Sequence, residues 1–231
     1  MGMALLSLFC SACSRHRHVA HIPSVPRRSS HPAKGATPGP NYTEVGYASW
    51  YGDPYHGRRA ADGEIYDKNK LTAAHLTLPF GTQVKVTDLG NQRSVVVRIT
   101  DRGPFVKGRI IDLSLAGAKA IQLVGPGVSL VRLETVFTPE DADPGQFAVQ
   151  VGAFRDHATA ERLRETLAHR YSNAFIQNFD SPNGLLYRVR VRPKPNLEQA
   201  GQLAAQLGRE SMPTFVVRVD DPVGTFVTAK K

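Results

Sequence analysis

The chain has 231 residues, which suits two small domains better than one large core. Its net charge of +9 is unevenly spread: residues 1–41 carry five Lys or Arg and no acid, residues 42–137 carry twelve against nine, and the rest twelve against eleven. No folded part has the basic balance of a nucleic-acid binder, and nucleic acid is excluded as a partner; a basic tether beside an anionic membrane or wall polymer fits instead.

Both cysteines, Cys10 and Cys13, lie near the start, so the body of the chain can hold neither a disulfide framework nor a cysteine metal site. Residues 1–13 form an apolar leader like the end of an export signal, too short to cross a bilayer as a helix. Ser11-Ala12 before Cys13 resembles a lipoprotein processing box, which would make Cys13 an acylated membrane anchor. Cys10 stands where such boxes usually have Leu, and no positive segment precedes the apolar run, so a simple cleaved signal is the alternative. Ser14, rather than Asp, after the cysteine points towards outer-membrane sorting, as in lipoproteins generally. Residues 14–43 are rich in Pro, Ser, His and Arg and read as an extended linker that gives reach from the anchor.

The first folded domain is expected over residues 44–137. Strands are expected at 46–51, 83–87, 94–100, 109–113 and 130–136, where apolar and polar residues alternate or β-branched residues cluster between turn signals. Residues 114–123 suit one short helix capped by Ser114. Many strands with so little helix point to a small closed barrel. A short acidic linker, 138–145, follows. Residues 146–221 then read strand (147–151), helix (157–171), strand (174–179), strand (186–191), helix (197–207) and strand (214–219), with Asn183-Gly184 as the hairpin turn. This βαββαβ order places two helices on one sheet face and leaves the other open to bind something. Residues 222–231 are a tail. The fold class is thus mostly β, followed by an α+β unit.

Three places in the first domain carry candidate chemistry. Glu64 follows the tight turn Asp62-Gly63, His75 sits in Thr72-Ala-Ala-His, and Asp101 directly follows the apolar strand ending at Thr100. A carboxyl at the mouth of a buried strand can have a raised pKa and act as a general acid near neutral pH. Each residue also has a plain structural alternative: Asp before Arg-Gly-Pro is a turn former, and a lone His is often hydrogen-bonded scaffold.

The segments 46–52 (Gly-Tyr-Ala-Ser-Trp-Tyr-Gly), 56–58, 62–67, 71–75 (Leu-Thr-Ala-Ala-His), 78–82, 100–105 (Thr-Asp-Arg-Gly-Pro-Phe) and 109–114 appear in order. Together they resemble the rare lipoprotein A family of septal-ring lytic transglycosylases, which have a double-psi β-barrel. Residues 147–154 and 187–191 are similar to the sporulation-related (SPOR) repeat that often follows this barrel. The resemblance implies cleavage of the bond between N-acetylmuramic acid and N-acetylglucosamine in peptidoglycan, closing a 1,6-anhydro ring without water and with no cofactor or metal. It carries the family's essential acid, histidine and aspartate onto Glu64, His75 and Asp101. Asp101 would be the acid/base, with Glu64 and His75 shaping the site; these three roles can be permuted. Ala60 and Asp62 stand where the family more usually has Thr and Asn, and the Asp62 charge is expected to raise the pKa of Glu64 slightly. Trp50, Tyr51 and Phe105 are candidates for an aromatic floor under sugar rings. On the second domain, Gln150, Arg188 and Arg190 alternate with valines, so they face the open side; with Phe154 and Tyr187 they are candidates for holding glycan strands that lack stem peptides. The resemblance also implies a division-septum location facing the periplasm, with divisome proteins as possible partners. A non-enzymatic, expansin-like wall-loosening protein is the second reading, and a pure septal scaffold the third; the intact set of Glu64, His75 and Asp101 favours the enzyme.

Overall fold

The computed structural model describes residues 41–140, 145–171, 173–192, 196–209 and 212–219; the leader with Cys13, nearly all of the linker and the tail lie outside the described residues. Six strands close a barrel: β1 (Thr43–Tyr51), β2 (Thr72–His75), β3 (Gln83–Asp88), β4 (Ser94–Asp101), β5 (Arg109–Ser114) and β6 (Ser129–Phe137). Around the barrel they run β1-β5-β2-β4-β3-β6. β1 is parallel to β5 and β2 to β4, while the other neighbours are antiparallel. This is the expected double-psi arrangement.

The alternating patterns fill its interior. Val84 and Val86 of β3, Val95, Val97 and Ile99 of β4, and Val131 and Leu133 of β6 are all buried, whereas Lys85 and Val96 between them are exposed. The helix α1 (Leu115–Ala120) is shorter than expected; Ile121 and Leu123 beyond it turn into the core instead. Ser114 caps it as expected, its Oγ accepting from Gly117 N–H at 3.2 Å. β2 was not expected as a strand. It has four residues, all buried, two of them alanine, so it shows no alternation and has little β-propensity. Its position between β4 and β5 nevertheless sets where His75 lies.

The second unit contains β7 (Gln146–Phe154), α2 (His157–Ala168), β8 (Ala174–Ser181), β9 (Gly184–Val191), α3 (Leu197–Arg209) and β10 (Phe215–Val219), in the SPOR order βαββαβ. Its antiparallel sheet runs β10-β7-β9-β8. Ser181 pairs with Gly184, so the two-residue hairpin loop is Pro182-Asn183, one position earlier than expected. The helices cover one sheet face, where Phe147, Val149, Val151, Val189 and Val191 meet Ala160, Leu167, Ala200 and Leu207.

The other face, expected to stay open, is covered by the barrel. Ala148, Val217 and Val219 pack with Leu76, just after β2, and with Phe105, just after β4. The ring of Phe105 meets that of Phe215 edge-on at 5.9 Å. The Arg218 backbone N–H, on the outer edge of β10, donates to the Leu76 carbonyl at 2.9 Å. Arg58 and Asp180 form a rim ion pair at 3.7 Å. The apolar residues placed among the polar ones of this face explain why it takes a cover: left bare, they would present an apolar patch to water.

Candidate active site

Asp101 closes β4, and the hairpin around residues 59–65 lies along that strand end, with Asp62 N–H donating to the Thr100 carbonyl at 3.1 Å. Asp101 Oδ1 accepts from Arg102 N–H at 2.8 Å and Ala61 N–H at 3.2 Å. Oδ2 makes no hydrogen bond among the described residues, which leaves it as the oxygen that takes a proton. Burial pushes this carboxyl above the usual carboxylate range, and the two amide donors with the charges of Arg188 and Arg102 only partly offset it.

Glu64 sits on the same hairpin in a different environment. It is about half exposed and binds Arg98 through both oxygens, at 2.9 and 2.7 Å. This pairing holds Glu64 below the usual range, opposite to the rise expected from Asp62. Asp62 instead holds the turn, its Oδ1 accepting from Glu64 N–H at 2.9 Å, and it is itself raised, by burial first and by the Glu64 charge as well.

His75 is buried, and both ring nitrogens are engaged. Nδ1 accepts from Thr77 N–H at 3.1 Å and Leu78 N–H at 3.0 Å, so the hydrogen-bond network assigns the proton to Nε2, which faces Glu44 Oε2 at 3.3 Å. Tyr42 Oη also donates to that carboxylate. Burial alone would raise Glu44, but the hydrogen bonds with His75 and Tyr42 outweigh it and leave Glu44 below its usual value. The imidazole of His75 is thus turned towards β1, while its carbonyl accepts from Arg102 at 3.1 Å and ties it to the Asp101 loop.

Tyr51 and Trp50 point to opposite sides of β1. Trp50 packs on the barrel core, whereas Tyr51 stacks on Tyr66 with centroids 4.4 Å apart. The Tyr51 hydroxyl is buried without a partner among the described residues. Burial raises it, and the nearby charges of Asp101, Asp112 and Asp62 and the Tyr66 hydroxyl push the same way. Tyr66 Oη donates to the Tyr51 carbonyl at 2.6 Å and fixes the pair.

A cleft of about 70 Å³ separates the barrel from the sheet, lined by Ala61 and Arg102 on one side and by Arg188, Arg190 and Arg218 on the other. Its barrel wall therefore contains both residues whose N–H groups hold Asp101. The Arg188 guanidinium lies 3.5 Å from the ring centre of Phe179 and 4.8 Å from that of Phe105, and burial pushes its pKa down to about 10. Gln150 is buried and accepts from Arg190 at 3.2 and 3.3 Å. Phe154 and Tyr187 face the other way: they pack on the helix side, and Tyr187 meets His157 edge-on at 4.8 Å. The structure thus gathers Asp101, Phe105, Arg188, Arg190 and Gln150 around one interface, keeps Tyr51 against Tyr55 and Tyr66 of the barrel, and leaves Trp50, Phe154 and Tyr187 outside that interface.

The lytic transglycolase family model matches residues 43–133, and the SPOR domain model matches residues 143–218. The endolytic peptidoglycan transglycosylase RlpA of Pasteurella multocida is 37% identical over 207 residues, covering 85% of this chain and 68% of that protein. The chain belongs to the RlpA family. Other RlpA proteins match shorter stretches: that of Campylobacter jejuni is 43% identical over 56% of this chain, and a probable one from Synechocystis is 62% identical over 39%. The chain spans 54% and 28% of the lengths of those two relatives. Among solved structures, an expansin of Clavibacter michiganensis in complex with cellohexaose aligns over 77% of this chain and 90% of that one, at 14% identity and a TM-score of 0.36.

Within this RlpA-family chain, the sequence did not single out Tyr42, Glu44, Tyr66 or Arg98. Glu44 lies 31 positions from His75, and Arg98 lies 34 from Glu64, so only the barrel closure pairs them. The one available signal was charge: Arg98 interrupts the apolar run of β4 before Asp101 closes it.

Proposed function

We propose that the chain is a lytic transglycosylase of peptidoglycan glycan strands, with Asp101 as its general acid and base. The observation that carries this reading is the half-buried Asp101 carboxyl, raised by desolvation, with Oδ1 occupied by two amides and Oδ2 left to bear the proton. In this reading Oδ2–H protonates the glycosidic oxygen between N-acetylmuramic acid and N-acetylglucosamine as the bond to the anomeric carbon breaks. The muramic 6-hydroxyl then attacks that carbon, closes the 1,6-anhydro ring and returns its proton to Asp101. Ordinary glycosidases need a second carboxylate to handle water or to form a covalent bond. An internal nucleophile removes that need, because its orientation is already prepaid in the sugar.

Glu64, tied to Arg98, supports the hairpin that presents Ala61 to Asp101, and His75 holds the β2 end against β1. The preferred substrate is glycan without stem peptides, gathered by the second domain. The protein acts in the cell envelope facing the periplasm, enriched at the division septum and anchored through acylated Cys13 to the outer membrane, with divisome proteins as possible neighbours. The test is incubation with peptide-free glycan strands and mass spectrometry of the products. Anhydro-ended fragments that disappear with Asp101→Asn, while glycan pull-down persists, support the reading. Intact strands at high enzyme loading would favour the wall-binding alternative.

A further inference from the structure

The two surfaces expected to meet glycan, the Asp101 mouth of the barrel and the arginine face of the second-domain sheet, are buried against each other. Four observations bear on what that contact does. The cleft beside Asp101 is about 70 Å³ and holds only a few waters, whereas ligand sites for small molecules run to roughly 300 Å³ and above. Two N-acetylated sugar rings flanking a scissile bond do not fit. Second, Arg188 brings a half-buried positive charge towards the place where the breaking bond would develop positive charge, which opposes the reaction. Third, the contacts among the described residues are small side-chain meetings and edge contacts: the apolar cluster of Ala148, Val217 and Val219 with Leu76 and Phe105, Phe105 against Phe215 and Arg188, the Arg218 N–H to the Leu76 carbonyl, and a rim ion pair whose Asp180 side chain is 85% exposed. Fourth, Arg188 and Asp101 are both partly taken out of water without forming an ion pair with each other, and separation relieves that cost.

We propose that the domains hold each other closed, with the Arg188–Arg190–Arg218 face covering Asp101, and that a peptide-free glycan strand taking this face separates them and exposes the acid. The inference rests on Asp101 being the catalytic acid. The occupant follows from the chemistry of the face: aromatic rings at Phe175, Phe179 and Phe215 for sugar rings, and guanidinium groups for the carboxylate that each muramic residue bears once its peptide is gone. Substrate binding and activation are then one event, and isolated sugars too short to hold the sheet face leave the enzyme closed.

Arg58 and Asp180 face each other across the rim, which gives a lock. In the full chain with Cys10→Ser and Cys13→Ser, Arg58→Cys and Asp180→Cys are joined by a bismaleimide whose spacer contains a reducible disulfide. The linked protein is expected to release anhydro-ended fragments slower, on the order of tenfold or more, than the same sample after reduction. Equal rates overturn the proposal. In a second arm the same cysteines carry pyrene maleimide. Excimer emission is expected in the free protein and is lost when peptide-free strands are added. Emission that is absent at the start, or that persists at strand concentrations that retain the protein in pull-down, overturns the proposal. If the reduced sample makes no anhydro ends at all, the cleavage reading fails, and the pyrene arm still decides whether the closed arrangement and its opening exist.

Discussion

Replacing His75 by alanine tests whether the imidazole is scaffold or chemistry. His75→Ala removes the acceptor for Thr77 N–H and Leu78 N–H and the neighbour of Glu44 Oε2. An unsatisfied buried donor costs about 1–3 kcal/mol; Leu78 is fully buried and Thr77 only half so, giving roughly 2–4 kcal/mol for the two. Glu44 keeps the Tyr42 hydroxyl, so its added cost is smaller, and the total comes to about 3–5 kcal/mol. The natural probe is Trp50, the one tryptophan of the chain, which packs on the barrel core. With a urea slope of about 1 kcal/mol per molar for a domain of this size, the fluorescence midpoint should fall by roughly 3–5 M. His75→Asn puts an amide oxygen near the place of Nδ1, so it should recover a large part of the loss, and once folded it should cleave glycan within about tenfold of the parent. A midpoint for His75→Ala within about 0.5 kcal/mol of the parent, or an asparagine variant no more stable than alanine, would refute this account. A folded but inactive asparagine variant would put His75 in the chemistry.

Three other outcomes follow from the same geometry. Asp101→Asn should cost about a hundredfold or more in cleavage, yet raise the melting temperature at pH 7. The sign is set by the raised folded-state pKa: the carboxyl contributes fully below its unfolded pKa and loses that contribution as pH rises through the folded value, so the gain should vanish in calorimetry at acid pH. Glu44 works in the opposite sense. Its folded pKa is lowered, so its contribution is present above the unfolded value of about 4.3 and lost as pH falls through the folded one, and Glu44→Gln should flatten the acid side of the Trp50 stability profile. Gly46→Ala would place a Cβ 2.6 Å from Ile110 Cγ2 and should destabilise the barrel by about 1–3 kcal/mol in the same urea assay.

The barrel strands were legible because alternation survives in β3, β4 and β6, each with one face in the core. β2 was hidden because every residue in it is buried, and a strand without a wet face has no period. In the candidate site, Asp101 could be picked out because an acid directly after an apolar strand is a local signal. The environments of Glu64 and His75 were not legible. Arg98 and Glu44 reach them across the barrel, and the backbone amides on His75 Nδ1 carry no side-chain signature. The second-domain alternation correctly separated Arg188 and Arg190 from Val189 and Val191. Pattern alone does not say whether a polar face meets water or another domain, and here Gln150 and Arg190 are buried.

The hydrogen bond from Arg218 to Leu76 also has a consequence in time. The barrel is built from one continuous stretch, Thr43 to Phe137, whereas β10, which seals against it, is the last described strand in the chain. As the chain emerges from its amino end, the barrel has all its strands some eighty residues before β10 arrives. The barrel surface that bears Asp101 is therefore complete while still bare, and the strand that packs on it is the last of the described ones to be delivered. A frameshift or stop that spares the barrel but removes residues 215–219 would leave that surface without its cover, a gain of exposure rather than a simple loss of a domain.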